Sequence, residues 1–106
     1  MPLRELEQAV LLLVMVLSPE AHPRAIRDEL ERRTGRVSSP AAIFITLERL
    51  ESKGFVTSRF GDPTPIRGGR AKRLFRATAM GKRAALKSVQ DVRALTLGLE
   101  QLLESK

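Results

Sequence analysis

One segment, residues 38–54, constrains the fold most, because both of its ends carry helix signals. Its sequence is SSPAAIFITLERLESKG. Ser38 or Ser39 can cap the first free amides, and Pro40 suits the first helical turn, where an N–H would have no partner. Gly54 can adopt the left-handed conformation that ends many helices. The segment between these ends is therefore predicted to be a short helix.

This predicted helix has a narrow apolar stripe and an opposite face of mostly small side chains. Ile43, Leu47 and Leu50 recur at i, i+4 and i+7 and form the stripe. A helix with a thin buried seam can lie closely against another surface, and we expect that surface to be the major groove of DNA. The DNA-binding residues predicted on this helix are Ser38, Ser39, Ala41, Ala42, Ile45, Thr46 and Arg49.

Arg49 is the leading candidate for a base contact, because a guanidinium can form two hydrogen bonds with guanine. The alternative is a salt bridge to Glu48 or Glu51 on the same helix. Ser38 and Ser39 can bind phosphate at the helix N-terminus, or can serve only as caps. Glu48 would repel phosphate, and the sequence leaves open whether it reads a cytosine amine or lies away from the groove.

Two further helices are predicted before this segment. Residues 3–17 have leucine and valine at spacings of three and four and are apolar nearly all round, so this helix needs cover on several sides. A second subunit and the core of the same chain are equal alternatives for that cover. After a proline-marked break, a second helix extends to about Thr34 and ends at Gly35. Helix, short turn and helix form the helix-turn-helix arrangement.

After Gly54 the pattern changes to two short β-compatible segments, residues 55–60 and 71–77, joined by a loop rich in glycine and proline. A hairpin with a basic tip directly after a helix-turn-helix predicts a winged helix. The alternative is a flexible charged loop that only aids solubility. The wing residues predicted to contact the DNA backbone or minor groove are Arg67, Gly68, Gly69, Arg70, Lys72 and Arg73.

The last predicted helix begins after its cap, Thr78, and is expected to continue as a single helix with apolar residues at spacings of three and four. No other part of the chain remains for this stripe to cover, so we expect it to join two subunits. The fold expected is mostly α with a small β-hairpin wing, divided into a DNA-binding domain, residues 1–78, and a dimerisation helix, residues 79–106. The predicted dimer contacts are Leu6, Val10, Leu13, Leu86, Val89, Val92, Leu95, Leu99 and Leu102.

The charge distribution points to a polyanionic partner. The net charge is +7, with a balance of −1 in residues 1–52 and +8 in residues 53–106. No acidic residue occurs between Pro63 and Gln90, whereas eight Lys and Arg residues do. A basic segment beside a nearly neutral scaffold is typical of proteins that bind nucleic acid.

Composition argues against several other classes. The chain has no cysteine and one histidine, so we expect no metal site, no cofactor and no Ser–His–Asp or Cys–His catalytic arrangement. The longest apolar run, Ala9–Leu17, has nine residues, whereas about 20 are needed to cross a bilayer. We therefore expect a cytoplasmic protein that is neither an enzyme nor a membrane protein.

These residues resemble the PadR-like winged-helix transcriptional regulators. Three segments carry the resemblance: IRDELERRTGRVSSPAAIFITLERLESKGFV, GDPTPIRGGRAKRLFRAT and TAMGKRAAL. Leu47, Leu50, Glu51 and Gly54, together with the GGR-x-KR wing, are fairly specific to this family. The resemblance implies a homodimeric DNA-binding repressor whose third helix reads the major groove, whose wing touches the minor groove or backbone, and whose final helix dimerises.

The sequence departs from the family at several aromatic positions. Phe44 replaces a usual tyrosine, and Leu74 and Phe75 stand where two tyrosines are common. We therefore expect no aromatic-lined effector pocket, and the sequence identifies no effector.

We expect a repressor that binds a near-palindromic operator as a homodimer. One alternative is a winged-helix protein-interaction module that does not bind DNA. An RNA-binding winged helix is a second alternative, disfavoured because RNA readers usually stack bases on aromatic side chains.

Overall fold

The computed structural model describes residues 3–61 and 72–104. Three helices come first, then a hairpin, then a helical C-terminal part, as the sequence predicts. The two strands are antiparallel, with Val56 opposite Ala77 and Phe60 opposite Arg73. In chain order the elements are α1 (Glu5–Leu17), α2 (Pro23–Thr34), α3 (Pro40–Ser52), β1 (Val56–Phe60), β2 (Arg73–Ala77), α4 (Ala79–Thr96) and α5 (Leu99–Glu104).

Helix α1 is the central helix of the core, because it packs against α2, α3, α4 and β2. Val10 and Leu13 were predicted to face a second subunit, but they are 0% and 6% exposed within one chain. Their side chains are already covered by the chain's own helices, which corrects their assignment to a dimer interface. Met15 and Val16, near the end of α1, remain exposed.

Both ends of α3 follow the sequence signals. Of the two candidate caps, Ser39 takes the role, and its Oγ accepts a hydrogen bond from the Ala42 amide at 3.0 Å. Gly54 lies two residues beyond the helix with φ of +81°, a conformation that glycine adopts without strain. The predicted apolar stripe is fully buried and consists of Ile43, Leu47 and Leu50.

The start of α4 is fixed against the turn that follows α3. Thr78 caps α4 by accepting a hydrogen bond from the Gly81 amide at 3.0 Å, and its hydroxyl donates to the Gly54 carbonyl at 2.7 Å. A Cβ on Gly81 would lie 2.0 Å from the Phe55 carbonyl oxygen. Glycine at this position therefore permits a backbone contact that no other residue allows.

The C-terminal part is two helices, where the apolar spacing predicts one. Helix α4 ends at Thr96, and Gly98, with φ of +82°, separates it from α5. The apolar spacing continues across this break, which is why periodicity alone predicted a single helix. In the described ranges, 3–61 and 72–104, we find no helix long and apolar enough to cross a membrane.

Candidate nucleic-acid interface

The outer face of α3 is exposed and carries small side chains around one arginine. Ala41, Ile45 and Arg49 all lie on this solvent-facing surface. Arg49 forms no ion pair with any residue in the described part of the chain, so the salt bridge to Glu48 or Glu51 considered from the sequence is not formed. Both carboxylates are bound to Arg73 instead, which leaves the Arg49 guanidinium available to an outside partner.

The hydroxyl groups of α3 differ in their availability. Thr46 is only 4% exposed, and its Oγ1 donates to the Ala42 carbonyl at 2.8 Å. This burial corrects the prediction that Thr46 contacts DNA, because its hydroxyl is turned inward and already bonded. The Ser39 hydroxyl acts as the helix cap, and the half-buried Ser38 precedes it.

Arg73 connects the hairpin to α3. Its Nη2 lies 2.7 Å from Glu51 Oε1 and its Nη1 lies 3.2 Å from Glu48 Oε2. Its Nε donates to Ser58 Oγ at 3.1 Å, and the Ser58 hydroxyl donates to Glu51 at 2.8 Å. Arg73 was predicted to contact DNA, but these bonds engage its nitrogens within the protein and correct that assignment.

Two aromatic rings complete the surroundings of this guanidinium. The Arg73 carbon Cζ lies 5.4 Å from the centre of the Phe44 ring and 5.0 Å from that of Phe75. Both distances are within the range of a favourable cation–π interaction. Phe44 thus helps to position the arginine that joins α3 to β2, which gives a structural role to the residue that departs from the family's usual tyrosine.

The wing tip lies outside the described residues, so the structure gives no position for Arg67, Gly68, Gly69 or Arg70. Lys72, the remaining wing prediction, is exposed just before β2.

The structure adds two basic residues to the site residues predicted from the sequence. Arg59 of β1 and Arg76 of β2 are both exposed on the strands of the hairpin. Strand alternation could have identified them, since residues two apart share one face of a sheet.

His22 is a helix cap. Its Nδ1 accepts a hydrogen bond from the Ala25 amide at 3.3 Å at the start of α2. Burial lowers the pKa of His22 below its usual 6.5, and the nearby positive charge of Lys72 lowers it further. The ring is therefore neutral at pH 7, as an acceptor must be. Residues 3–61 and 72–104 contain no group of three side chains that could hold a metal ion.

Three helices followed by an antiparallel hairpin, with one face of the third helix exposed, define a winged helix-turn-helix protein. The sequence model of the Transcriptional regulator PadR-like family matches residues 11–87, which is most of the chain. The chain belongs to this family of transcriptional regulators, a class of protein that is not enzymatic.

Similar proteins agree with this assignment. The transcriptional regulator Rv3488 of Mycobacterium tuberculosis is 42% identical over 76 residues, a match that covers 72% of this chain and 64% of that protein. The chain therefore spans slightly less than two thirds of that relative's length.

Solved structures share the fold. A PadR-like regulator from Bacillus cereus superposes with a TM-score of 0.75 at 15% identity and covers 95% of this chain and 93% of its own. Bacillus subtilis PadR, solved in complex with operator DNA, has a TM-score of 0.69 at 22% identity and covers 83% and 48%.

Proposed function

We propose that this protein is a sequence-specific repressor that binds duplex DNA through α3 and acts as a homodimer in the cytoplasm. The observation that carries the proposal is the exposed face of α3, where Arg49 has no carboxylate partner among the described residues. Bacillus subtilis PadR, which shares the fold, was solved in complex with operator DNA, and this supports DNA as the partner.

The residues of α3 have separate roles in this proposal. Arg49 contacts a base edge in the major groove, where two hydrogen bonds to guanine give sequence preference. Ala41 and Ile45 allow close approach and contact thymine methyl groups. Ala42 is half-buried beside them, and its small side chain allows the same close approach. Ser38 binds a backbone phosphate next to the helix N-terminus.

The hairpin supplies the charge that is independent of sequence. Lys72 and the wing-tip residues Arg67, Gly68, Gly69 and Arg70 lie against the DNA backbone or in the minor groove. Each contact between a basic side chain and a phosphate releases counterions, so binding weakens as salt increases. Arg73 takes no direct part and holds the hairpin against α3.

The homodimer forms through the C-terminal helices. Leu95 and Leu102 are 83% and 72% exposed in a single chain, and Leu99 and Leu103 beside them are exposed as well. Exposed apolar surface of this extent is typical of a protein–protein contact. Two subunits would place their recognition helices about 34 Å apart, one turn of DNA, and so read a near-palindromic site. The remaining proposed contacts, partly or largely exposed, are Leu6, Leu86, Val89, Val92 and Leu99.

The test is fluorescence anisotropy with labelled DNA from immediately upstream of the protein's own gene, compared with a scrambled duplex of equal length and composition. We expect tighter binding to the upstream duplex, and both affinities to fall steeply as salt is raised. The upstream DNA also tests for autoregulation. If the protein does not prefer this duplex, a tiled set of other promoters is tested in the same way. Absence of binding to every duplex at low salt would contradict the proposal.

The exposed leucines also favour one alternative, a winged-helix protein-interaction module without DNA binding. This alternative predicts a monomer in light scattering that ignores duplex DNA. The same anisotropy experiment, combined with a mass measurement, separates the two functions.

A further inference from the structure

The hairpin has a second, outward face that is different in character from the face on α3. Antiparallel pairing places Thr57 opposite Arg76 and Arg59 opposite Leu74. Since alternate residues of a strand share a face, these four side chains lie on one side of the hairpin. Arg59 and Arg76 are therefore diagonal neighbours on adjacent strands, within reach of one small ligand.

This face forms one wall of a cavity of about 390 Å³. The other wall comes from Ser18 and Pro19, in the segment between α1 and α2. The two walls are joined, because the Phe75 amide donates to the Ala21 carbonyl at 2.8 Å. The cavity thus lies between parts of the backbone that are fixed relative to each other, and its volume is in the range of small-molecule sites.

No carboxylate of the described residues neutralises the two arginines of this cavity. Neither Arg59 nor Arg76 forms an ion pair with a residue of the ranges 3–61 and 72–104, whereas Arg73 on the opposite face is paired with two carboxylates. Two like charges on diagonal positions of one sheet face repel each other by Coulomb's law. Bound negative charge between the two guanidinium groups would remove that repulsion.

We propose that this cavity binds a phosphate group. Arg59 and Arg76 donate to its oxygens from β1 and β2, since guanidinium groups match the geometry of phosphate. The hydroxyl groups of Ser18 and Thr57, which line the same cavity, supply further donors. The phosphate can belong to a small phosphorylated ligand or to the DNA backbone, and the second source depends on the function proposed above.

The first experiment uses the whole protein without DNA. Sodium phosphate is added to the 15N-labelled protein at constant pH and ionic strength, with sodium chloride as the reference, and the amide resonances are followed. We expect saturable shifts at Ser18, Thr57, Arg59 and Arg76 that chloride does not produce. In the variant Arg59→Gln/Arg76→Gln these shifts should disappear, while the spectrum keeps the dispersion of a folded protein.

A matched control removes the same amount of charge elsewhere. Arg83→Gln/Arg93→Gln alters two exposed arginines on α4, outside the cavity, and lowers the net charge equally. This control should bind phosphate as the unaltered protein does. Shifts that survive the cavity substitutions, or that the control also abolishes, would show nonspecific attraction and overturn the site.

The second experiment distinguishes the sources of the phosphate by measuring duplex binding against salt. If the DNA backbone occupies the cavity, the cavity variant should reduce the slope of log affinity against log salt by about two units. If the cavity variant leaves the slope unchanged while the unaltered protein binds phosphate in the first experiment, the site belongs to a small ligand. If the unaltered protein shows no phosphate-specific shifts and the variant does not change the slope, the proposal is overturned. Failure of the unaltered protein to bind any DNA would contradict the repressor function and leave the phosphate titration intact.

Discussion

Arg73 of β2 and Glu51 of α3 form an ion pair with a distance of 2.7 Å between Nη2 and Oε1, although 22 positions separate them in the sequence. The pair joins the hairpin to the last turn of the candidate recognition helix. It is partly shielded from water, and the same guanidinium also binds Glu48 and the Ser58 hydroxyl. One side chain of β2 thus links the hairpin strands to α3 by several hydrogen bonds.

Arg73→Ala should lower the free energy of unfolding by about 1–2 kcal/mol, because several charge-assisted hydrogen bonds are lost at a partly exposed site. Urea denaturation followed by circular dichroism measures the change. Arg83→Ala, an exposed arginine on α4, is the matched control and should change stability by less than about 0.5 kcal/mol. Equal midpoints for the two variants would show that Arg73 does not fasten the hairpin.

Gly81→Ala should destabilise the protein even though alanine favours helices by about 1 kcal/mol over glycine. The new methyl group would meet the Phe55 carbonyl oxygen at 2.0 Å, so α4 must move away from the α3–β1 turn. Overpacking of this kind typically costs about 1–3 kcal/mol.

Thermal unfolding of Gly81→Ala should be compared with that of Gly35→Ala. Gly35 has φ of +76° and open space around it, so its substitution adds backbone strain without a steric contact. A larger loss at Gly81 than at Gly35 supports the close contact, and an increase in melting temperature at Gly81 would contradict it.

Most of the fold follows from local sequence signals. The caps at Ser39 and Thr78, the ends at Gly35 and Gly54, and the buried stripe of α3 were all predictable, because each depends on neighbours a few residues away. The break at Gly98 was missed because the apolar spacing continues across it.

The candidate site was less predictable, because its contacts join distant parts of the chain. The sequence alone predicts a DNA contact for every basic residue of the wing. In the structure Arg73 is bonded to Glu48 and Glu51 of α3, so it is not available to DNA. The sequence predicts a dimer contact for Val10, because the pattern of an apolar helix does not show which element covers it. In the structure the chain's own helices bury Val10. The proximity of Arg59 and Arg76 could not be predicted without the hairpin register, which places them on one face.

Glu7 should make the stability of the protein sensitive to acid. Burial raises the pKa of its carboxyl, but the Arg4 amide at 3.1 Å and the Lys53 ammonium at 2.9 Å outweigh burial and lower the pKa below 4.5. A carboxyl with a lowered pKa stabilises the fold above its unfolded-state pKa, and that stability is lost as pH falls through the folded-state pKa.

Glu7→Gln should therefore lower stability by at least about 1 kcal/mol at pH 7, with the difference from the unaltered protein shrinking below about pH 4.5. Urea midpoints measured across this pH range test the expectation. Glu5→Gln, an exposed carboxylate on the same helix, is the control. A difference between Glu7→Gln and the unaltered protein that does not vary with pH would exclude this ion pair as the cause.

Leu95→Glu/Leu102→Glu should convert the proposed dimer to a monomer, because two highly exposed leucines become charged at the surface that a second subunit would cover. Light scattering coupled to size-exclusion chromatography should give 11.8 kDa for the variant and twice that mass for the unaltered protein. Gln90→Glu, an exposed polar position on α4, should leave the mass unchanged. A monomeric unaltered protein would remove the dimer proposal.

Arg49→Ala should reduce discrimination between operator bases more than it reduces general affinity for DNA. A bidentate contact with guanine is worth about 1–3 kcal/mol of preference at one position. The affinity for the operator should therefore fall, while the affinity for scrambled DNA changes little. Competition with operators altered at single base pairs locates the affected position. Lys87→Ala removes a positive charge that is paired with Asp91 on α4, and it should preserve the preference at every position. If Arg49→Ala instead weakens all duplexes equally, Arg49 contacts phosphate, and sequence reading must come from other side chains of α3 or from the shape of the DNA.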